Sequence, residues 1–216
     1  MNSKHSYLAK NVLLFSISGF VPKILSIILI PLYTSYLTTA EYGISDLITT
    51  TVSLLLPVFT LDIQDAVMRF ALDDKYNKKD VFSVAVHVIL SGTLLVCIGA
   101  TAIFFLNIPG LENCYLIFLV IMYFTSAVSN TVSLFCRGID KVNVMVMGSI
   151  LNSVVTLSSN ILFLAVFHWG LTGYLIANSL GSAVALIWCF IGAKLYQYIE
   201  FDVPKSVKAD MIQFSF

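Results

Sequence analysis

The feature that most constrains this chain is a long stretch without charge. Residues 142–193 contain no Lys, Arg, Asp or Glu. As one helix, about 52 residues would extend for roughly 78 Å, whereas the hydrocarbon core of a bilayer is about 30 Å thick. The stretch is therefore predicted to cross a membrane twice, with its turn in the sequence FHWGLTG at 167–173.

Similar apolar stretches throughout the chain predict an all-α, polytopic membrane protein built as a six-helix bundle. Only 11% of the 216 residues are charged, against about 25% in soluble domains. The predicted transmembrane helices are 11–37, 42–70, 81–106, 114–137, 142–167 and 173–198. We expect residues 199–216 to be a cytoplasmic linker followed by the start of a truncated seventh helix, so that 1–198 form one lobe.

The basic residues predict the orientation of these helices. Of the twelve Lys and Arg residues, all but Lys23 fall in the termini or in the second and fourth loops, or at the helix ends beside them. Basic loops stay in the cytoplasm, so both termini are predicted to be cytoplasmic. A further six-helix unit after residue 216 would then be a parallel repeat.

Polar residues recur inside the predicted helices at the three-four spacing of a helix face. The clearest stripes are Ser16, Gly19, Lys23 and Ser26; Ser126, Asn130, Ser133 and Arg137; and Ser149, Asn152, Thr156 and Ser159. Such stripes are typical of close helix packing or of a polar cavity shared by the helices. Their recurrence in several helices favours the cavity.

Lys23 is the sharpest candidate for a functional residue, because a Lys at the centre of a membrane helix costs about 2.5–3.5 kcal/mol. No acidic residue lies within one helical turn of it. Three interpretations stay open: an ion pair with a carboxylate on another helix, such as Asp46 or Asp62; a cation that points into a water-filled interior shared by the six helices; or a lysine that faces lipid and snorkels toward the interface. We expect the second, in which Lys23 binds an anionic substrate.

Several classes of function are disfavoured. The net charge is zero, which gives no electrostatic footprint for nucleic acid. There is no nucleotide-binding loop and no HExxH sequence, and the cysteines are scattered. The sequence therefore predicts a protein that is not an enzyme and that has no cofactor and no metal site.

Several short motifs resemble polysaccharide biosynthesis proteins of the lipid-linked oligosaccharide flippase type, in the superfamily that includes multidrug and toxin extruders. In helix 1 these are Lys23, Pro31 and Thr34, followed by LTTAEYG at 37–43. Further matches are Arg69 before Phe70, Arg137 before Gly138, and the sequence GLTGYLIANSLGSAVALI at 170–187. The resemblance covers nearly the whole chain and is most specific in its first 45 residues.

The resemblance implies one lobe of a two-lobed transporter in the bacterial inner membrane. The substrate would be a polyprenyl-diphosphate-linked oligosaccharide, flipped by alternating access for O-antigen or capsule synthesis. The cavity residues would be Lys23, Ser26, Asn130 and Asn152, with Arg69 and Arg137 as basic residues at the cytoplasmic mouth.

The partners expected from the resemblance are membrane lipids, a second lobe or a homodimer, and a polysaccharide polymerase. The alternatives are a cation-coupled multidrug exporter of the same fold and a non-transporting remnant of a truncated gene.

Overall fold

The computed structural model describes residues 2–106, 113–200 and 204–214, and the elements in these ranges are helical. The elements in chain order are α1 (Asn2–Tyr36), α2 (Thr39–Thr60), α3 (Ile63–Leu72), α4 (Lys78–Leu106), α5 (Asn113–Gly138), α6 (Val142–Asn160), a π-helical turn (Ile161–Val166), α7 (Gly170–Gly192), a 3₁₀ turn (Leu195–Tyr198) and α8 (Lys205–Phe214). Six of these segments are long and apolar enough to cross a membrane: α1 from Gly19, α2, α4, α5, α6 with its π-helical turn, and α7. The chain is therefore an all-α, multi-pass membrane protein, as its sequence predicts.

The predicted continuous helix over 42–70 is wrong, because the structure divides it into α2 and α3. Leu61 and Asp62 both adopt the left-handed conformation, with φ of 51°, which ends one helix and redirects the chain. Just before the break, the Thr60 hydroxyl donates a hydrogen bond to the carbonyl of Leu56 at 2.7 Å. The start of α2 is fixed by a capping box between Thr38 and Glu41.

Two apolar cores hold the bundle together, one near each end. The end that carries the basic loops, called here the basic end, is packed around Ile63, Val67, Val81, Phe135 and Val146. The opposite end, called here the outer end, is packed around Ile48, Val52, Val96, Tyr123 and Leu175.

Helix α8 extends the core of the basic end. Val207 and Met211 are buried, and α8 packs on α3 and α4. The Tyr76 hydroxyl donates to Asp210 Oδ2 at 3.0 Å, which raises the pKa of Tyr76 because ionisation would break this bond and oppose two negative charges. The segment expected to begin a seventh membrane helix therefore lies against the bundle as a ten-residue helix.

Helix α1 lies at the edge of the bundle. It packs mainly on α6 and on the π-helical turn that follows α6, with little contact to α2. Leu29 is the buried hydrophobic residue of its described membrane-crossing part. This arrangement makes α1 one wall of the space between α5, α6 and α7.

Candidate substrate cavity

A polar cavity of about 250 Å³ opens midway along the bundle between α1, α5, α6 and α7, and is called here the central cavity. Its polar lining consists of Ser26, Thr125, Ser126, Ser149, Asn152, Ser153, Thr156, Asn178 and Ser182. These residues supply hydroxyl and amide groups, which both donate and accept hydrogen bonds. None of the described residues that line the cavity is charged.

A second polar cavity of about 370 Å³ lies nearer the basic end. Its polar lining is Gln64, Ser129, Asn130, Ser133, Ser149 and Asn152. Because Ser149 and Asn152 also line the central cavity, the two form one polar track along the inner faces of α5 and α6. This track, too, has no charged residue among its described lining.

Local hydrogen bonds fix the polar side chains of the track. Ser26 Oγ donates to the carbonyl of Pro22 at 2.9 Å, and Thr156 Oγ1 donates to Asn152 Oδ1 at 3.2 Å. The Asn178 amide donates to the carbonyl of Tyr174 at 2.9 Å. A hydroxyl that donates to its own helix keeps oxygen lone pairs, so these side chains stay able to accept hydrogen bonds from a polyhydroxylated ligand.

Gly181 lets α7 approach α6 beside the central cavity. A Cβ atom at this position would collide with Thr156 Oγ1 and would lie 2.6 Å from Asn152 Oδ1. Small residues permit such close approach of membrane helices. The absence of a side chain at Gly181 therefore preserves the positions of Asn152 and Thr156.

A family model described as polysaccharide biosynthesis protein matches residues 8–216 of the chain. The chain belongs to the polysaccharide biosynthesis protein family. The resemblance inferred from the sequence motifs is thereby confirmed. Comparisons with curated proteins and with solved structures gave no significant match.

Three residues that the sequence predicts for the site line the polar track of this family member. Ser26 and Asn152 line the central cavity, and Asn130 lines the second cavity beside Asn152. The stripes on α5 and α6 thus face each other. Thr125 and Ser129 also line the track but were not predicted, because each lies one position beside the stripe on its helix.

Lys23 does not line the polar track, which corrects the expectation that it points into an interior shared by the six helices. Its neighbour Pro22 lines the central cavity, whereas Lys23 is exposed. Consecutive residues are about 100° apart around a helix, so Lys23 faces the outside of the bundle next to the cavity wall. It is 13 residues before the end of α1 at Tyr36, or roughly 20 Å along the axis.

The two predicted basic residues of the mouth lie at the basic end. Arg69 is exposed on α3, and its guanidinium carbon is 4.3 Å from the centroid of the Phe214 ring on α8. Arg137 is exposed near the end of α5. Neither residue is among those that line the polar track.

Proposed function

We propose that this chain forms one lobe of a flippase for a polyprenyl-diphosphate-linked oligosaccharide in the bacterial inner membrane, where it serves O-antigen or capsule synthesis by alternating access. The observation that carries the proposal is the uncharged polar track between apolar helices. A glycan that crosses a bilayer loses hydrogen bonds to water, and each unreplaced bond is costly in hydrocarbon. Hydroxyl and amide groups along the track supply replacements.

The proposal divides the substrate between two faces of α1. The neutral track holds the glycan, while Lys23 on the adjacent face holds the diphosphate. A second lobe or a second copy of the chain, placed against α1, would enclose the lysine in the cavity between the lobes. This arrangement accounts for a cation that lies outside the bundle and still within the membrane-crossing part of α1.

Orientation follows from the basic loops. With the basic end in the cytoplasm, Arg69 and Arg137 lie where the diphosphate would enter. The track then leads from Asn130 in the second cavity to Asn152 and the central cavity. A cation-binding drug exporter is a poorer fit, because no carboxylate occurs among the described residues that line the track.

A matched pair of substitutions on α6 tests the proposal. Asn152→Leu removes the amide shared by both cavities, whereas Val154→Leu changes a side chain that is 48% exposed on the outside of the same helix. Each variant is expressed in a strain whose own gene is deleted, and surface polysaccharide and lipid-linked glycan are measured. We expect Asn152→Leu to lower surface polysaccharide and to cause lipid-linked glycan to accumulate, with no change for Val154→Leu.

Equal export by the two variants, at equal abundance in the membrane, would show that the track does not carry the glycan. Asn152→Gln keeps an amide and is expected to retain more export than Asn152→Leu.

A further inference from the structure

Five aromatic side chains lie at the outer end of the bundle, where Phe163, Phe167 and Trp169 contact one another and Tyr36 contacts His168. The outer aromatic cluster consists of Tyr36, Phe163, Phe167, His168 and Trp169. The rings of Phe163 and Trp169 are nearly parallel, with centroids 5.0 Å apart, and the Phe167 centroid is 5.2 Å from that of Trp169. Tyr36 lies beside His168 at 5.9 Å. The cluster therefore joins the end of α1 to the turn before α7.

The backbone of this turn holds the rings in place. Just after the π-helical turn, the Phe167 amide donates to the carbonyl of Leu162 at 3.0 Å, and the Trp169 amide donates to the carbonyl of Phe163 at 2.9 Å. A Cβ atom at Gly173 would lie 2.9 Å from Phe163 Cβ and 3.1 Å from Trp169 Cβ. A π-helical turn is rare and often marks a functional site. These contacts fix the rings before any ligand arrives.

The fixed rings remain open to their surroundings. Trp169 is 50% exposed and Phe167 is 49% exposed. The Leu171 amide donates a hydrogen bond to Glu41 Oε1 at 3.4 Å, which ties the first turn of α2 to the start of α7. The cluster is thus a rigid aromatic surface at the end opposite the basic loops.

The cluster lies in line with the central cavity on the same helices. On α1, Ser26 and Leu29 line the cavity, Tyr33 follows one turn later, and Tyr36 belongs to the cluster. The Tyr33 ring packs edge-on against Tyr174 of α7, with centroids 4.9 Å apart, and the carbonyl of Tyr174 accepts a hydrogen bond from the cavity residue Asn178 at 2.9 Å. The tyrosine pair therefore lies between the central cavity and the aromatic cluster along these two helices.

We propose that the outer aromatic cluster is a carbohydrate-binding surface that stacks against pyranose rings of the glycan at the outer end of the bundle. The face of an aromatic ring carries negative potential, and the C–H bonds on the face of a pyranose present weak positive charge to it. Trp169 is the main contact, because its large ring is exposed and is held by two phenylalanines. The proposal rests on the proposed glycan transport.

The competing role for these rings is membrane anchoring, since aromatic residues are enriched at both membrane interfaces. The chain offers a matched control for that role. Phe105 is 79% exposed at the end of α4, packed edge-on against Phe104, and no α4 residue is among those that line the central cavity. If the rings are membrane anchors, substitution of Phe105 and substitution of Trp169 should have similar effects on export. If they stack against the glycan, only substitution of Trp169 should lower export.

Fluorescence of the purified protein tests direct binding, because the chain has two tryptophans. Trp188→Phe leaves Trp169 as the reporter, and Trp169→Phe leaves Trp188, which lies within α7. Maltohexaose is the probe, and glycerol at equal mass concentration is the solvent control. We expect a saturable shift in emission with maltohexaose for Trp188→Phe only. No saturable shift, or the same shift from the Trp188 reporter, overturns the proposal.

Export in cells separates failure of this proposal from failure of the proposed function. At equal membrane abundance, Trp169→Ala is expected to lower surface polysaccharide by about threefold to tenfold, with Trp169→Phe intermediate and Phe105→Ala unchanged. If Asn152→Leu blocks export while Trp169→Ala matches Phe105→Ala, the carbohydrate-binding surface is overturned and the transport function stands. If Asn152→Leu also leaves export intact, both are overturned.

Discussion

Helices α1 and α4 are both apolar membrane helices, yet they have different places in the bundle. Half of an 18-residue apolar stretch of α4 is buried, against 6% in the membrane-crossing part of α1. Gly92 of α4 presses against the backbone of α2, whereas nothing lies within 4 Å of a Cβ atom placed at Gly19 of α1. Hydropathy therefore indicates that a helix crosses the membrane but not how closely it packs, since both helices contain glycine and only Gly92 meets a neighbouring helix.

The difference suits the two helices to different tasks. Helix α4 contributes to the cores at both ends and anchors the bundle. Helix α1 carries Lys23 on an exposed face, and its other face forms the wall of the central cavity. Regions with few buried contacts open at low free-energy cost, so α1 is the helix whose displacement changes the cavity most easily.

The largest expected effect on stability comes from adding a methyl group to a glycine of α4. The same addition to a glycine of α1 is the comparison. Gly92→Ala would place Cβ against the carbonyl oxygen of Phe59 and 3.0 Å from the Tyr123 hydroxyl oxygen, at a cost of about 1–3 kcal/mol or more. Gly19→Ala meets no atom and should stabilise the helix slightly, by about 0.5–1 kcal/mol. Thermal unfolding in detergent measures both, and equal melting temperatures would remove the contrast between α1 and α4.

The second prediction concerns function on the loosely packed helix. Lys23→Met removes the proposed diphosphate contact and should lower glycan export by about tenfold or more, while insertion improves because the cost of a lysine in a membrane-crossing helix disappears. Lys75→Met, in the exposed loop after α3, is the control. Surface polysaccharide and membrane abundance are measured together; unchanged export with Lys23→Met would leave the cation without a role in transport.

The third prediction compares hydroxyl groups on the two helices. Ser83 of α4 is buried; its Oγ donates to the carbonyl of Tyr198 at 3.3 Å and accepts from the Glu200 amide at 2.7 Å. Ser83→Ala leaves these backbone groups unpaired and should cost about 1–3 kcal/mol. Ser35 of α1 is exposed and bonds within its own helix, so Ser35→Ala should change the unfolding free energy by less than about 0.5 kcal/mol. A similar loss of unfolding free energy in Ser83→Ala and Ser35→Ala would contradict the difference in packing between α4 and α1.

The smallest expected effect on stability is at Tyr76, which lies between α3 and α4 and contacts α8. Tyr76→Phe removes the hydrogen bond to Asp210 and should lower the melting temperature slightly. The bond raises the pKa of Tyr76, so its contribution is complete below the ordinary tyrosine value of about 10 and is lost as pH rises through the raised value. The difference between wild type and Tyr76→Phe should vanish in strongly alkaline solution. If the melting temperatures of wild type and Tyr76→Phe still differ in strongly alkaline solution, the hydrogen bond from the Tyr76 hydroxyl is not the cause of the difference.

Much of the fold follows from the sequence, because long charge-free stretches of this kind are stable in a bilayer as helices that cross it. All six predicted spans correspond to long apolar helices. The break after α2 was not predicted, since Leu61 and Asp62 take left-handed conformations without a glycine to signal them. Residues other than glycine adopt the left-handed conformation when the surrounding packing imposes it.

The site was predictable only in part. Spacing places Asn130 on the same face of α5 as Ser126, and both line the polar track. Spacing does not say which neighbour a face meets, and for that reason Lys23 was expected inside the bundle although the cavity wall is formed by Pro22 and Ser26 beside it. The aromatic cluster gave no periodic signal, because a π-helical turn and the left-handed His168 bring its rings together.

Translocation in proteoliposomes tests the central claim most directly. Purified protein is reconstituted with a lipid-linked oligosaccharide that carries a fluorophore on its glycan, and a membrane-impermeant quencher reports the fraction on each side. We predict translocation above that of protein-free vesicles for wild type and for Val154→Leu, and its loss for Asn152→Leu. Translocation by Asn152→Leu at the wild-type rate would contradict a neutral polar track that carries the glycan across the membrane.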